Sequence, residues 1–279
     1  MKTILDTLEA GTTWLEKKGI EDARRNMQLM ICHQLDCSKI QLYTRFDEPL
    51  DESALAPLRE MLKQRGEGVP LQHLLGTVEF YLRDFHTDAR ALIPRPETEE
   101  LAEILIKRFK LPESPAILDM GTGSGVLGIT LVKEIPSAAV TCADVSTDAL
   151  SLAEQNATAL DAQNIRFVHS DLFSQIEGSY DLIVANLPYV PETDRPSLAP
   201  ELAHDPDLAL FGGQDGLDII RTFIQEAPSY LNPGGIIALE IGIHQNEEVE
   251  KLLSATGFTD IKTYPDLSGI LRFPTASKS

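Results

Sequence analysis

The second half of the chain alternates short apolar runs with helical patterns, and this alternation constrains the fold more than any other feature. The apolar runs of strand length begin at residues 116, 138, 165, 181 and 235. Parallel strands joined by crossover helices produce such a pattern, because helices cover both faces of their sheet. Two last runs, 258–264 and 269–273, close the chain as an antiparallel pair. The sequence therefore predicts an α/β fold with a mostly parallel sheet.

A glycine-rich turn follows the first of these strands. Three glycines alternate with other residues directly after Met120 and before a helical pattern, where backbone can approach a ligand closely. The turn is not the GxGxxG of dinucleotide binders, because Val126 stands in place of the last glycine, and it lacks the Gly-Lys-Ser/Thr of a P-loop. The candidate ligand loop comprises Gly121, Thr122, Gly123, Ser124 and Gly125.

Three carboxylates are placed to share a pocket with this loop. Asp119 precedes the glycines, Asp144 ends the next strand, and Asp171 follows the third strand, with Leu172 beside it. We expect Asp119 near a cationic group, Asp144 on ribose hydroxyls, and Asp171 with Leu172 at an adenine. Each acid alone could be a helix cap or a solvated strand end. Together with the glycines, they suit S-adenosyl-L-methionine better than the pyrophosphate of NAD.

The tetrapeptide Asn186-Leu187-Pro188-Tyr189 follows the fourth strand. Pro188 has no N–H for a sheet ladder, so the strand must stop here. The amide of Asn186 offers one acceptor oxygen and two donor hydrogens, and Tyr189 offers a flat apolar face. This pairing suits a planar amide or amidine nitrogen, although an ordinary turn after a strand would have the same composition.

The first 75 residues predict a small helical module without chemistry of its own. Apolar residues at helical spacing predict helices over 3–18 and 21–35, and a third that Asp51 or Ser53 caps and that ends near residue 65. The module serves either as a scaffold or as a docking surface for a macromolecular substrate.

A stiff connection separates this module from the sheet. Two short aromatic runs, 78–82 and 85–87, lie on either side of Arg83-Asp84 and predict a hairpin. Prolines then flank Arg95, and Thr98 opens a predicted helix over 98–110. From the residues alone, this proline-bounded segment is best interpreted as a rigid linker.

The charge distribution excludes some classes of partner. The net charge is −19, and residues 76–279 hold 14 basic and 31 acidic residues. Such a surface repels phosphate backbones, so we expect no direct nucleic-acid partner. Three cysteines without metal-ligand spacing predict reduced thiols and no metal site. No apolar run approaches the length of a membrane span, so we expect a cytoplasmic protein.

Several motifs taken together resemble the family of HemK/PrmC-type N5-glutamine methyltransferases that modify peptide chain release factors. The resemblance covers nearly the whole chain, and its combination of motifs is specific although no single one is. It is carried by Ile93-Pro94-Arg95-Pro96-Glu97-Thr98-Glu99, by Leu118–Gly125, by Asn186–Tyr189, by Gly212–Leu217, by Glu240-Ile241-Gly242 with Gln245, and by Asp266–Gly269 with Arg272.

The resemblance implies an architecture, a cofactor and a substrate. The architecture is a helical substrate-docking domain over residues 1–75, a hairpin linker over 76–93 and a seven-stranded Rossmann-like methyltransferase domain over 94–279. The cofactor is S-adenosyl-L-methionine, and the substrate is the glutamine of the Gly-Gly-Gln motif in release factors. We expect a monomer, with the target amide held by Asn186, Leu187, Pro188 and Tyr189, and with Arg95 also contacting the substrate.

One departure from the family pattern introduces alternatives. Leu187 stands where the family usually has proline, although its carbonyl can still accept a hydrogen bond. Asn-Leu-Pro-Tyr is similar to the motif of ribosomal RNA adenine dimethyltransferases, but those are typically basic and carry their helical domain after the catalytic one. A glutamine methyltransferase of a ribosomal protein is a nearer alternative. A non-enzymatic module that only binds S-adenosyl-L-methionine would require an idle Asn186.

Overall fold

The first part of the chain forms five helices in the computed structural model, which describes residues 2–279. Side chains cap three of them, because Thr3 and Ser38 form capping boxes and Asp51 accepts from the N–H of Ala54. The three predicted helices are present. Two short helices were not predicted, because six and five residues hold too little periodicity. The helices are α1 (Ile4–Lys17), α2 (Ala23–Gln34), α3 (Lys39–Thr44), α4 (Glu52–Gly66) and α5 (Leu71–Leu75).

A two-stranded hairpin follows, built from β1 (Thr77–Phe80) and β2 (Arg83–His86). The hairpin is present as predicted, but the expectation that Arg83-Asp84 separates the strands is wrong. Tyr81 and Leu82 form the turn, with φ of 48° and 62°. This tight turn lets Phe80 and Phe85 both be buried, with ring centroids 5.9 Å apart.

A seven-stranded sheet forms the centre of the rest of the chain. Its strands are β3 (Ala116–Met120), β4 (Ala139–Asp144), β5 (Ile165–His169), β6 (Tyr180–Ala185), β7 (Leu231–Leu239), β8 (Phe258–Pro265) and β9 (Leu271–Lys278). Their order across the sheet is β5-β4-β3-β6-β7-β9-β8. The first five of these strands in sequence are parallel, and β9 runs antiparallel to both β7 and β8. The predicted α/β class and the terminal antiparallel pair are confirmed.

Helices cover both faces of this sheet, because neighbouring residues of a strand point to opposite sides. Ile117 shares a buried cluster with Leu101 and Leu127, whereas Leu118 shares another with Phe223 and Val249. The helices are α6 (Pro96–Arg108), α7 (Val126–Glu134), α8 (Thr147–Ala159), α9 (Asp207–Leu210), α10 (Asp218–Glu226) and α11 (Asn246–Ala255). Helix α6 begins two residues before the predicted Thr98, with Pro96 in its first turn.

Residues 191–213, which connect β6 to the next long helix, contain three short helical pieces. Glu192–Ser197 and Pro200–His204 are 3₁₀-helices, and α9 follows them. A third 3₁₀-helix, Ala227–Tyr230, follows α10 directly. Prolines such as Pro191 and Pro206 start two of these pieces and prevent longer helices.

The chain divides into two compact units. One holds the residues up to Thr77 together with Pro200–His204, and the other holds Val78–Ala199 and Asp205–Ser279. The sequence-based boundaries 1–75, 76–93 and 94–279 stay a prediction. No helix within residues 2–279 combines the length and apolar content that crossing a bilayer requires.

Candidate active site

A cavity of about 590 Å³ lies at the carboxyl edge of the sheet, where the strand order reverses between β3 and β6. Open α/β sheets bind their ligands at this point. The cavity wall includes the predicted site residues except Gly125 and Tyr189. Those that line it are Arg95, Asp119, Gly121, Thr122, Gly123, Ser124, Asp144, Asp171, Leu172, Asn186, Leu187 and Pro188.

The glycine turn holds two loops of the cavity against each other. Gly121 has φ of 70°, which disfavours other residues, and a Cβ added there would lie 2.9 Å from Cδ2 of Leu187, so the Leu187 side chain would have to move. Its N–H donates to the carbonyl of Ala143 on β4 at 2.8 Å. Gly125 does not line the cavity; it precedes α7, and a Cβ there would lie 3.0 Å from that of Ala153. Gly125 therefore serves helix packing.

Asp119 lies beneath the turn and is almost completely buried. Its Oδ2 accepts from the Thr122 hydroxyl at 2.6 Å and from the N–H of Gly128 at 2.9 Å. Burial raises the pKa of this carboxyl to about 6. Among the described residues, its buried Oδ1 has no hydrogen-bond partner. Asp119 thus has a buried acceptor oxygen without a partner, and the residue lines the cavity where a cationic group is expected.

The other two carboxylates differ in exposure. Asp144 accepts from the N–H of Gly123 and from that of Ser146, both at 2.9 Å, and burial raises its pKa. These bonds fix the carboxylate beside the turn. Asp171 is exposed at the cavity edge, next to Leu172, whose φ of 44° points to a tight turn there. The assigned contacts to ribose and adenine stay predictions.

Asn186 directly follows β6 and is anchored by two residues that belong to the quoted motifs but were not predicted as site residues. Its Nδ2 donates to Oγ1 of Thr98 at 3.1 Å, and that hydroxyl donates to Oε2 of Glu240 at 2.7 Å. Thr98 and Glu240 are 3% and 1% exposed. Burial raises the pKa of Glu240 to about 7. A signal existed, since an acidic residue at the end of the buried run 235–240 needs a partner.

The rest of the tetrapeptide is held by its backbone and by packing. Leu187 is buried, and Pro188 lines the cavity. Tyr189 does not line it; burial raises its pKa, and its carbonyl accepts from Nε2 of Gln245 at 3.0 Å. Oε1 of the same Gln245 accepts from the N–H of Gly242 at 2.8 Å. The expectation that Tyr189 packs against a substrate amide stays a prediction.

Arg95 lines the cavity, but its guanidinium is engaged with the protein. Its Nη2 contacts Oδ2 of the buried Asp205 at 2.7 Å, and Oδ1 of Asp205 accepts from the N–H of Ile93 at 3.1 Å. The ion pair therefore ties the proline-bounded segment to the region before α9. A direct contact of Arg95 with substrate stays a prediction.

The class of protein follows from the fold and from this site. The fold matches the crystal structure of a methyltransferase from Pyrococcus furiosus with a TM-score of 0.55 at 18% identity, over 71% of this chain and 90% of that one. Residues 96–212 match the family described as Methyltransferase small domain. Within residues 2–279, no group of three or more His, Cys, Asp and Glu side chains could hold a metal ion. The sheet and its edge cavity are those of a Rossmann-like methyltransferase.

Sequence relatives define the family more narrowly. Residues 6–76 match the PrmC N-terminal domain. The release factor glutamine methyltransferase of Deinococcus radiodurans is 38% identical over 274 residues, 98% of each chain. That of Geobacter sulfurreducens is 39% identical over 272 residues, 97% of this chain and 95% of that one. The chain belongs to the family of release factor glutamine methyltransferases. The resemblance, the enzyme class and S-adenosyl-L-methionine as methyl donor are confirmed.

The residues at the cavity fit this methyl donor. The unpartnered oxygen of Asp119 can accept from a cationic amino group, and Asp144 lies beside the turn where a ribose would be placed. Gly121 lines the cavity with a φ of 70°, which glycine adopts readily, so its backbone can approach a ligand closely.

Proposed function

We propose that this protein transfers a methyl group from S-adenosyl-L-methionine to the N5 side-chain amide nitrogen of the glutamine in the Gly-Gly-Gln motif of peptide chain release factors. The observation that carries the proposal is the anchored amide of Asn186 at the wall of the cofactor cavity. Its relatives bear the name of that activity. An amide that presents an acceptor suits a target nitrogen that carries two hydrogens.

The proposed mechanism activates a weak nucleophile by orientation. A glutamine nitrogen is weak because its lone pair is delocalised into the carbonyl. S-adenosyl-L-methionine supplies an electrophilic methyl group on a positively charged sulfur. Asn186 Oδ1 and the Leu187 carbonyl accept the two N–H hydrogens of the target, turn its lone pair toward that methyl, and stabilise the positive charge that develops on nitrogen.

No general base is required in this mechanism. In the part of the chain that the structure describes, the cavity wall has no His or Cys side chain. The methylated nitrogen carries one hydrogen too many, and this proton leaves to water after transfer. The residues of the site therefore act through hydrogen-bond acceptance and shape.

The same proposal extends to partners and location. A net charge of −19 disfavours direct contact with nucleic acid. We propose that the partner is the release factor itself and that the enzyme binds it as a monomer. Release factors act on cytoplasmic ribosomes, so we place the enzyme in the cytoplasm.

A methyl-transfer assay with labelled cofactor tests the substrate. Four substrates are compared. They are a release factor, its variant with the Gly-Gly-Gln glutamine replaced by alanine, an unmethylated ribosomal protein, and ribosomal RNA. We expect label in the unaltered release factor alone. Label that survives the glutamine replacement, or that enters only the ribosomal protein or the RNA, contradicts the proposal.

A further inference from the structure

Three polar side chains that are far apart in sequence form a hydrogen-bonded chain that ends at the cavity. Glu240 follows β7, Thr98 lies in the first turns of α6, and Asn186 follows β6. We propose that Thr98 and Glu240 are positioning residues that fix which end of the Asn186 amide faces the cavity. The inference deepens the proposed function and rests on it.

The direction of the hydrogen bonds in this network follows from which of its groups can donate a hydrogen. An ionised carboxylate only accepts hydrogen bonds, so the hydrogen of the Thr98 hydroxyl is committed to Glu240. The hydroxyl oxygen can then only accept from Asn186, which must therefore turn its NH₂ end toward Thr98. The opposite end of the amide, Oδ1, is left for the cavity that Asn186 lines.

This polarity decides whether Asn186 can hold its target. An amide nitrogen that awaits methylation presents two hydrogens, so it needs acceptors on the protein. If the Asn186 amide were rotated by a half turn, its NH₂ group would face the N–H groups of the target amide, and Asn186 could no longer accept a hydrogen bond from the target. Side-chain amides of asparagine have nearly the same shape in both orientations, so only the neighbouring hydrogen bonds can choose between them.

The charge on Glu240 is the origin of this choice. Its surroundings include Glu97 on α6, which favours the neutral carboxyl, whereas Arg272 on β9 and the side-chain amide of Asn186 itself favour the carboxylate. Tyr189 also lies within electrostatic range of Glu240. With a pKa raised to about 7 by burial, Glu240 takes up a proton in a mildly acidic solution. Its own O–H can then donate to Thr98, which frees the threonine hydrogen for Oδ1 of Asn186 and allows the wrong orientation.

Three variants separate this role from simple packing. Thr98→Val keeps the shape but removes the hydroxyl, and we expect kcat to fall roughly 10- to 100-fold with little change in cofactor affinity. Thr98→Ser keeps the hydroxyl and should retain most of the activity. Thr130→Val is the matched control, because Thr130 is also buried in a helix but its hydroxyl has no hydrogen-bond partner among the described residues. Wild-type kcat in Thr98→Val would overturn the proposal, as would equal losses in both valine variants.

The pH dependence supplies a readout that packing alone would not move. We expect kcat of the wild type to be half-maximal near pH 7, to approach its full value at alkaline pH and to fall as Glu240 is protonated in acid. In Glu240→Gln this acidic limb should be absent and kcat should be low at every pH. A neutral amide can both donate and accept, so it does not fix the direction of the hydrogen bonds through Thr98 to Asn186. An unchanged limb in Glu240→Gln would contradict the role of this residue.

A measurement without turnover keeps the inference separate from the proposed substrate. The side-chain amide signal of Asn186 in ¹⁵N-labelled full-length protein, assigned by its loss in Asn186→Ala, is followed from pH 8 to pH 5 by NMR. We expect it to shift with a midpoint near the pKa of Glu240 in the wild type and to lose that midpoint in Glu240→Gln. If the chemical shift of the Asn186 side-chain amide in the wild type does not change with pH, the inference is overturned. A shifting signal in an enzyme that methylates no release factor instead refutes the proposed function.

Discussion

The two sides of the cavity are built in different ways. On the side where we propose that the cofactor binds, the cofactor side, the acceptors Asp119 and Asp144 are held mainly by nearby backbone N–H groups. The donors are the N–H groups of Gly123 in the glycine turn, Gly128 on α7 and Ser146 just before α8, together with the Thr122 hydroxyl. On the acceptor side, where we propose that the target amide binds, Asn186 depends on the side chains of Thr98 and Glu240. Asn186 and Thr98 are 88 positions apart in the chain, and Thr98 and Glu240 are 142 positions apart. The cofactor side is therefore a local structure, and the acceptor side exists only once three distant elements have assembled.

The difference suits the two tasks. Binding a cofactor needs a shaped backbone and a few fixed acceptors, which one turn and the ends of two strands can supply. Orienting a target amide needs an acceptor that points in one direction only, and a buried side-chain network can enforce that. The two sides touch where Gly121 meets Leu187, so each limits the position of the other.

Replacing the amide on the acceptor side should have the largest effect. Asn186→Ala removes the acceptor that orients the target nitrogen, and we expect kcat to fall by about 10² to 10³ while cofactor affinity stays nearly unchanged. Steady-state methyl transfer and calorimetry measure the two quantities. Asn246→Ala, which replaces an asparagine outside the cavity wall, is the control. Near-wild-type kcat in Asn186→Ala would falsify the mechanism.

The largest effect on the cofactor side should come from Asp144. Asp144→Ala removes the carboxylate that holds the turn through Gly123 and that we expect to accept ribose hydroxyls. Charge-assisted hydrogen bonds of this kind predict a cofactor affinity roughly 10- to 100-fold lower by calorimetry. Asp148→Ala, at an exposed acid on α8, should bind normally. Unchanged affinity in Asp144→Ala would refute the ribose contact.

The contribution of the contact between Gly121 and Leu187 to the free energy of unfolding can be measured separately. Gly121→Ala places a Cβ against Leu187 at a φ of 70°, and we expect the free energy of unfolding to fall by about 2 kcal/mol or more. Gly178→Ala has a similar φ of 84° with no atom within 4 Å of its Cβ, and should lose only about 1 kcal/mol. Chemical denaturation measures both. Equal losses would mean that the two loops do not restrict each other.

The smallest effect is expected at the exposed edge of the cofactor side. Asp171 is open to solvent, where a hydrogen bond contributes little, so Asp171→Ala should weaken cofactor binding only about two- to fivefold. Competition with adenosine, measured by calorimetry, tests whether the loss lies at the adenine. A loss as large as that of Asp144→Ala would reverse the ranking of the two carboxylates.

The sequence predicted those parts of the molecule that depend on local patterns. The strands of the sheet, the glycine turn before α7 and the carboxylates at strand ends all follow from residues close together in the chain. The unpredicted helices α3 and α5 are too short to show a period, and the turn at Tyr81-Leu82 places non-glycine residues at positive φ, which local preference disfavours. At this turn, the free energy gained by burying Phe80 and Phe85 outweighs the local cost of positive φ.

The acceptor side could be predicted only in part, for the same reason. The motif around Asn186 was visible, but its anchoring was not. Thr98 fits a helix start, and Glu240 fits a solvated strand end, until folding brings both beside Asn186. Likewise the stiff segment around Arg95 gives no sign that Asp205 holds its guanidinium. Contacts between distant positions require the topology of the sheet before they can be inferred.

The most direct test of the whole account is to locate the transferred methyl group. A release factor is incubated with S-adenosyl-L-methionine and either the wild-type protein or Asn186→Ala, and is then mapped by tandem mass spectrometry. The account predicts one methyl group on the side-chain nitrogen of the Gly-Gly-Gln glutamine with the wild type, and almost none with Asn186→Ala. A methyl group at any other residue, or equal methylation by both proteins, would contradict it.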